Sequence, residues 1–491
     1  MTREIELKLE VDPDHLAMLR QEPILAKTEC HTVEQVTVYY DTPESKLKKH
    51  GFTLRVRSAA GQFIQTIKPV SETVGLMSRE EIETPVESMK PDLSQLSASP
   101  LEALLSKAEA RHLKAKITTQ VSRTSWEIDR RNGKIRLDLD DGTIIAGGQS
   151  QRFVELELEL LSGASESLIV AARRLADQVP LRLGVLTKAE RGERLAKGTF
   201  TRITKAGPVR VESRMTVAQA FELIVHDCLK HYRLNEPLVL EGSKAAALHQ
   251  TRVAMRRLRS AFSLFKPAIE DVEYQHLRHE LRWFTAQLGD ARNLDVYLER
   301  KLEDEERVRL KDKRAEAYKQ VTDAMNSHKF RRLLIDLVGW TAFGAWRSGR
   351  LATRPLTTFA GQRLDRLWRS ISTAGRNVVR MDESSRHGLR IQVKKMRYAI
   401  EFLGGLYPHA REVEKRFAAS VEGLQELLGK LNDLATAKTI STTTTKDNWL
   451  IGSFEERRFL IAAEDHYREL LNEGPFWREP STKRTAGSSR S

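Results

Sequence analysis

Glu4, Glu6 and Lys8 alternate with Ile5, Leu7 and Leu9 at the start of the chain. In an extended strand, side chains two apart share a face, so two carboxylates and an ammonium line one side and aliphatics the other. Such a wall makes a poor core. It suits chemistry on a phosphate chain, because carboxylate oxygens hold a hard divalent cation and an ammonium meets phosphate oxygens. The plainer alternative is the solvated face of an edge strand, and alternation in one strand does not separate the two. Later segments repeat the pattern with complementary charges. Arg55 and Arg57 share one face of residues 51–57, with Leu54 and Val56 on the other. Lys68 ends residues 62–68, and Arg79, Glu81 and Glu83 alternate. Asp140 ends residues 135–140, Glu155, Glu157 and Glu159 alternate with Val154, Leu156, Leu158 and Leu160, and residues 186–191 bring in Lys188.

The elements that must position these groups read as follows. Residues 14–25 are expected to form a short helix, and residues 36–40 a strand ending at Asp41-Thr42-Pro43. Ala59-Ala60-Gly61 joins two strands of a hairpin, and residues 100–110 form a second helix. Residues 117–129 form a strand that turns at Arg130-Arg131-Asn132-Gly133, with a further turn at Asp141-Gly142. Residues 165–178 form a helix. Two arrangements fit these strands. An open sheet with helices on one side leaves the ionic faces solvated. A closed antiparallel barrel turns them inward around a wet lumen, which is tolerable only if the charges are paired or meet a ligand.

A chain of 491 residues exceeds what one hydrophobic core usually serves, so at least two domains are expected. No stretch approaches the roughly 20 apolar residues of a membrane span, and the N-terminus carries no apolar signal region. Cys30 and Cys228 are the only cysteines, too few for a disulfide framework, which fits a reducing cytoplasm. The net charge of +14 is unevenly placed. Residues 1–200 hold 29 Lys and Arg against 30 Asp and Glu, so the remaining 52 basic and 37 acidic residues carry the whole excess. That imbalance suggests a polyanionic partner.

From residue 216 the periodicity turns helical, after a polar connector at 200–214. Helices are expected over 216–234, 243–266, 273–303, 305–326, 329–345, 356–377, 384–406, 411–440 and 447–473, with a disordered tail rich in Ser, Thr, Arg and Gly. A repeat lies within them. His249, Arg252, Arg256, Arg257 and Arg259 recur as His387, Arg390, Lys394, Lys395 and Arg397, and Leu288-Gly289-Asp290-Ala291-Arg292-Asn293 recurs loosely as Leu428-Gly429-Lys430-Leu431-Asn432-Asp433. Two related helical bundles about a pseudo-twofold axis are expected. At about 100° per residue, positions 249, 252, 256 and 259 fall within roughly 80° of one helix face. A solvated Lys/Arg face is the ordinary meaning of such a run. Its recurrence with few interleaved acids favours a polyanion site, and the lack of stacking aromatics argues against single-stranded nucleic acid.

The N-terminal motifs resemble a CYTH domain, the triphosphate tunnel metalloenzyme fold, over about residues 1–200. The resemblance rests on Glu-Ile-Glu-Leu-Lys at 4–8, Tyr39-Tyr40-Asp41-Thr42-Pro43, Leu54-Arg55-Val56-Arg57, Lys68, Arg79 with Glu81, Arg123 before Trp126, Asp140, Glu155-Leu156-Glu157-Leu158-Glu159 and Thr187-Lys188. It implies an α+β domain: an eight-stranded antiparallel tunnel with flanking helices that binds triphosphates with Mg2+ or Mn2+. By that implication Lys8, Arg55, Arg57, Lys68, Arg79, Arg123 and Lys188 grip phosphate oxygens. Glu4, Glu6, Asp140, Glu155 and Glu157 hold the metal, and Glu4 or Glu6, with Lys8 beside them, serves catalysis by orienting or deprotonating the attacking water. Glu81 and Glu159 stand as further ligands or as partners of neighbouring cations, and Tyr40 and Asp41 as no more than a rim.

The second half resembles a CHAD domain: all-α, duplicated, with His, Arg and Lys at the repeat positions. Its second copy carries Leu431 in place of the arginine of Arg292-Asn293. This resemblance implies binding of inorganic polyphosphate in a basic central groove by His249, Arg252, Arg256, Arg257, Arg259, His387, Arg390, Lys394, Lys395 and Arg397. The expected layout is a tunnel domain at 1–200, a linker at 201–215, a helical domain at 216–478 and a tail at 479–491. The order resembles two-domain bacterial inorganic triphosphatases. Expected partners are inorganic triphosphate and polyphosphate, with recruitment to polyphosphate granules in the cytoplasm and no membrane. Two alternatives stand beside this: a non-enzymatic polyphosphate organiser, and an enzyme acting on thiamine triphosphate or ATP, including a cyclase, for which Trp126 and Phe153 are candidate base platforms.

Overall fold

A computed structural model describes residues 4–69, 75–79, 81–130, 132–299, 303–375, 377–440 and 446–478. The expected tail, 479–491, lies outside them. Ten strands are present: β1 (Glu4–Glu10), β2 (Cys30–Asp41), β3 (Phe52–Ala59), β4 (Gln62–Pro69), β5 (Leu76–Arg79), β6 (Ile82–Val86), β7 (Lys114–Arg130), β8 (Gly133–Ala146), β9 (Gln149–Gly163) and β10 (Arg182–Leu183). The hydrogen-bonded order is β10-β1-β9-β8-β7-β2-β3-β4-β6, and β5 pairs back onto β1 from Glu4↔Arg79 to Leu7↔Leu76. β5 and β6 are nearly continuous in sequence. Taken as one interrupted strand, they link β4 to β1 and close an eight-stranded antiparallel barrel, to which β10 adds two residues beside β1. Of the two arrangements the alternation allowed, the closed one is found.

Closure decides which residues face outward. Leu7, Leu9, Leu137, Leu139, Leu156 and Leu158 are buried. Helix α5 (Glu166–Gln178) packs on β8 and β9, burying Leu168, Ala172 and Leu175. Helix α6 (Lys188–Ala196) covers β7, β8 and β9, and its Leu195 joins Tyr39, Ile117, Val121, Ile144 and Phe153. Each such aliphatic, fully buried, contributes about 1.5–3 kcal/mol. Short helices α1 (Leu16–Arg20), α2 (Pro23–Ala26), α3 (Lys46–Lys49) and α4 (Lys107–Arg111) cover connections.

Three local expectations are corrected. The helix expected at 14–25 divides at Gln21-Glu22, where Pro23 begins a new turn. The one expected at 100–110 shrinks to α4, because Ser106 caps it reciprocally with Glu109, while Leu96, Leu101 and Leu105 before it fill a core with Leu47, Leu54 and Ile67. Asp141-Gly142 does not turn: Gly142 pairs with Val121 and Phe153 inside β8, where a Cβ would lie 2.5 Å from the Gln120 carbonyl oxygen. The chain reverses at Gly147-Gly148, with φ of +58° and +74°, so that Ala146 pairs with Gln149.

The rest is helical: α7 (Val217–Leu240), α8 (Ala245–Ile269), α9 (Val272–Leu298), α10 (Asp304–Asn326), α11 (His328–Phe343), α12 (Leu356–Ala374), α13 (Glu383–Leu403), α14 (Arg411–Ile440) and α15 (Lys446–Glu473). The chain divides into two compact units. The first comprises residues 1–206, 225–259 and 271–345, so the barrel shares it with much of α7 to α11. Within it α11 packs on α5, and Thr204 in the helix-free connector is pinned to α7, its N–H donating to Asn235 Oδ1 at 3.0 Å and its carbonyl accepting from Asn235 Nδ2 at 2.9 Å. The second comprises residues 207–224, 260–270 and 346–491. Its core includes Phe221, Phe262, Phe265, Trp346 and Phe359, with a further aromatic cluster of Trp368, Phe417, Phe476 and Trp477. No helix among the described residues is long and apolar enough to cross a membrane.

Candidate active site

Strand register assembles the ionic side chains in rows. Lys8 pairs with Glu157, Glu157 with Asp138, and Asp138 with Ser125. Glu6, Glu159 and Arg136 form the row on one side, and Glu155, Asp140 and Arg123 belong to the row on the other. These rows border a cavity of about 200 Å3 inside the barrel, lined also by Tyr39, Arg55, Arg57, Lys68 and Lys188. In the closed barrel β8 and β9 lie across from β3 and β4, so an acidic wall faces a basic one.

The groups are tightly engaged. Lys188 Nζ lies 2.8 Å from Asp140, 2.7 Å from Glu155 and 3.0 Å from Glu157, and Lys8 Nζ 3.1 Å from Glu155 and 3.0 Å from Glu157. Arg123 grips Asp140 with two nitrogens, at 2.6 and 2.7 Å, and reaches Asp138 at 3.0 Å and Glu157 at 2.7 Å. Burial pulls the Lys8, Lys188 and Arg123 cations down, but the facing carboxylates outweigh it and raise all three. Burial likewise pushes Asp140 and Glu157 up, and Lys188 with the other cations holds both below the ordinary carboxylate range. Glu81 accepts from Lys68 at 2.8 Å and from Arg55 at 3.5 Å. Arg57 differs. It is half-buried, has no ion pair to a carboxylate among the described residues, and is lowered to about 10 by Arg55 beside it, by burial and by Arg123.

Asp140, Glu155 and Glu157 each bring a carboxylate oxygen within 4.8 Å of the others. An all-oxygen, largely buried donor set suits a hard divalent cation such as Mg2+ or Mn2+. Glu155 Oε2 is buried without a hydrogen-bond partner among the described residues, an acceptor that such a cation would satisfy. The residues therefore fit the group.

Of the residues singled out from sequence, Glu6, Lys8, Arg55, Arg57, Lys68, Arg123, Glu157 and Lys188 line the cavity, and Asp140 and Glu155 lie directly behind it on Lys188. The side chains of Glu4 and Arg79 lie outside the described residues. Lys188 sits on the first turn of a helix: Thr187 caps α6 with Glu190, a Thr-x-x-Glu signature present in the sequence. Asp138 and Arg136 are additions, two and four residues before Asp140 and so on its face of β8. Arg136 meets Glu159, and Asp138 accepts from Ser125 Oγ at 2.6 Å. Tyr40 and Asp41 are structural. The Tyr40 hydroxyl donates to the Met89 carbonyl at 2.6 Å, and Asp41 accepts from the backbone of Leu47 and Lys48.

A CYTH domain model matches residues 2–192, and a CHAD domain model matches residues 223–440. The chain carries a CYTH domain followed by a CHAD domain. Over 206 residues it is 33% identical to an inorganic triphosphatase of Haemophilus influenzae, a match that spans 41% of this chain and 57% of that protein's length. Among solved structures, the CHAD domain from the plant Ricinus communis is 26% identical with a TM-score of 0.43, covering 55% of this chain and 95% of its own. A Hippeastrum protein named as an adenylyl cyclase with a dominant triphosphatase activity is 18% identical with a TM-score of 0.30, covering 40% of this chain and 96% of its own. The domain assignment rests on the two family matches.

In the CHAD domain, α8 carries His249, Arg252 and Arg256 half-buried and Arg259 exposed. Burial lowers His249, Arg252 and Arg259, and neighbouring cations add to it: Arg292 and Arg256 for the first two, Arg282 and Arg278 for Arg259. Arg278, Arg282 and Arg292 come from α9, so a second helix thickens the stripe. Arg257 is a correction. It sits about 100° around the helix from Arg256, is fully buried, and pairs with Asp227 at 2.8 Å. On α13, His387, Lys394 and Lys395 are exposed and Arg390 and Arg397 half-buried. His387 Nδ1 lies 3.2 Å from Asn432 Oδ1, and Arg397 stacks over Tyr398 at 4.8 Å.

Proposed function

We propose that the CYTH tunnel hydrolyses inorganic triphosphate to pyrophosphate and phosphate with Mg2+ or Mn2+, and that the CHAD domain binds inorganic polyphosphate. The observation that carries the first part is the division of charge around one cavity. Acids of β8 and β9 stand across from Arg55, Arg57 and Lys68, and Arg57 lacks a carboxylate partner among the described residues. Arg57, Arg55 and Lys68 grip phosphate oxygens, Arg in forked geometry and Lys as a point charge. Asp140, Glu155 and Glu157, with Glu6 and Glu4, would hold the metal, which supplies charge neutralisation and a bound water of lowered pKa. Lys8 and Lys188 sit on those carboxylates and have phosphate oxygens as alternative partners. Glu4 or Glu6 orients the attacking water or takes its proton. Phosphoryl transfer asks for positioning and neutralisation more than covalent help, and this lumen supplies both.

The cavity of about 200 Å3 is smaller than the ~300–1,000 Å3 pockets that bury drug-sized ligands, which favours an inorganic chain over ATP or thiamine triphosphate. Neither candidate base platform lines it. Trp126 is buried, and Phe153 packs in the outer core with Leu195. The full chain with Mg2+ or Mn2+ is expected to release phosphate from triphosphate in preference to pyrophosphate, ATP and thiamine triphosphate. Glu4→Gln and Glu6→Gln are each expected to cut turnover about a hundredfold or more. Absence of release by the wild-type chain, or near wild-type rates in both variants, refutes the reading.

The CHAD stripes support retention of polyphosphate rather than cleavage, because the one acidic metal cluster among the described residues lies in the tunnel. Retention of this kind would recruit the protein to cytoplasmic polyphosphate granules. Arg252→Glu is expected to weaken binding of long-chain polyphosphate about tenfold at ~0.15 M salt, where screening extends over about 8 Å. Equal binding by wild type and variant, measured by fluorescence anisotropy, refutes the stripe as the site.

A further inference from the structure

Lys188 opens α6, and the start of that helix is held from outside the barrel. Thr187 Oγ1 accepts from the Glu190 N–H at 3.1 Å, and Glu190 Oε2 accepts from the Thr187 N–H at 2.8 Å. The other oxygen of Glu190 accepts from Lys230 Nζ, on α7, at 2.6 Å. Three residues beyond Lys188, Arg191 donates to Glu10 Oε1 at 2.6 Å, and Glu10 Oε2 accepts from Arg233, also on α7, at 2.8 Å. Arg233 Nε donates in turn to the Leu183 carbonyl of β10 at 2.8 Å. Glu10 is two residues past Lys8 on β1. The two cations of α7 therefore meet the two elements that deliver Lys8 and Lys188 to the acidic cluster, yet neither Lys230 nor Arg233 lines the cavity.

We propose that Lys230 and Arg233, from a helix that belongs mostly to the CHAD domain, are positioning residues for the tunnel. This rests on the tunnel being a triphosphatase site. Lys188 Nζ must keep contacts of 2.7–3.0 Å with three carboxylates, and its backbone lies in the turn that Glu190 caps. Removing Lys230 leaves Glu190 half-buried with the cap alone. Removing Arg233 leaves Glu10 with one ion pair, to Arg191, and removes the hydrogen bond that ties α7 to the Leu183 carbonyl of β10. A displacement of about 1 Å at a reacting group costs up to a hundredfold in rate. Lys8 and Lys188 also face the phosphate chain, but the grip of Arg55, Arg57 and Lys68 does not pass through α7, so most of the loss falls on kcat and only a small part on KM.

The test uses the full chain and four variants, with turnover read by phosphate release and folding by thermal melting. Lys230 is partly exposed, with 30% of its side chain accessible, so Lys230→Met is the variant that keeps the fold. It is expected to lower kcat about tenfold while KM for triphosphate changes less than about threefold. Lys230→Arg, which preserves the charge on Glu190, is expected to recover most of the loss. Arg233→Met is expected to lose more than Arg233→Lys. A kcat for Lys230→Met within twofold of wild type overturns the proposal, as does a Lys230→Arg variant as impaired as Lys230→Met, since contacts that only dock the helices predict lowered melting without the split and the rescue. A wild-type chain that releases no phosphate brings down the triphosphatase reading instead, and this one with it.

Discussion

The Arg57→Met variant is expected to melt above the wild-type protein while binding triphosphate at least tenfold more weakly. Arg57 is lowered to about 10 by Arg55, by burial and by Arg123. A base that holds its proton less firmly when folded than when unfolded, yet is charged in both states at neutral pH, subtracts from stability there. Because Arg57 is only half-buried, solvent screens part of that penalty, and relief on the order of 1 kcal/mol is a fair expectation. The same cation, lacking a carboxylate partner among the described residues, is where an anionic ligand gains most, since a hydrogen bond to a charged group contributes about 1.5–3 kcal/mol. Opposite signs for stability and binding mark a residue kept for function. Thermal melting and calorimetric titration with triphosphate read the two quantities. A lower melting midpoint, or unchanged affinity, refutes the assignment.

The lumen was legible because a strand has only one period. Glu6 and Lys8, Arg55 and Arg57, and Glu155 and Glu157 declare a shared face by spacing alone. Asp138 and Arg136 share the face of Asp140 by the same alternation, but they were not among the residues singled out from sequence. Closure was not legible from composition or alternation. It depends on β5 reaching back to β1, a contact between residues some seventy positions apart. Lys188 illustrates a different limit. A lysine following Leu186 reads as another strand position unless Thr187 and Glu190 are taken together as a cap. Asp141-Gly142 carried a turn signature, but Gly142 is needed for close approach to β7 and the reversal falls to two glycines further on. In the CHAD domain one helix wheel identified His249, Arg252, Arg256 and Arg259. The contribution of Arg278, Arg282 and Arg292 requires a second helix alongside, which no single-helix pattern contains.

Glu157→Gln is the converse of Arg57→Met. Glu157 accepts from Lys188 at 3.0 Å and from Arg123 at 2.7 Å and pairs with Lys8 at 3.0 Å, so its charge is answered by three buried cations. Glutamine keeps the shape but turns an N–H donor toward one of them. Leaving buried charges short of a partner costs about 3 kcal/mol, so the variant is expected to melt well below wild type at pH 7. Turnover is expected to fall about a hundredfold or more, because the same carboxylate is one of the proposed metal ligands. The pH dependence fixes the sign. Burial pushes Glu157 up, but the cations hold it well below the ordinary value of 4.5. A carboxylate with a depressed folded pKa contributes stability that is fully present above about pH 5, and that is lost as pH falls through the folded value. The gap in melting temperature between wild type and Glu157→Gln is therefore expected to be widest near neutrality and to narrow progressively as pH falls below about 5. A gap that stays constant across that range would mean the three cations do not depend on this carboxylate. The acidic wall would then be an incidental neighbour of the basic one rather than its counterpart.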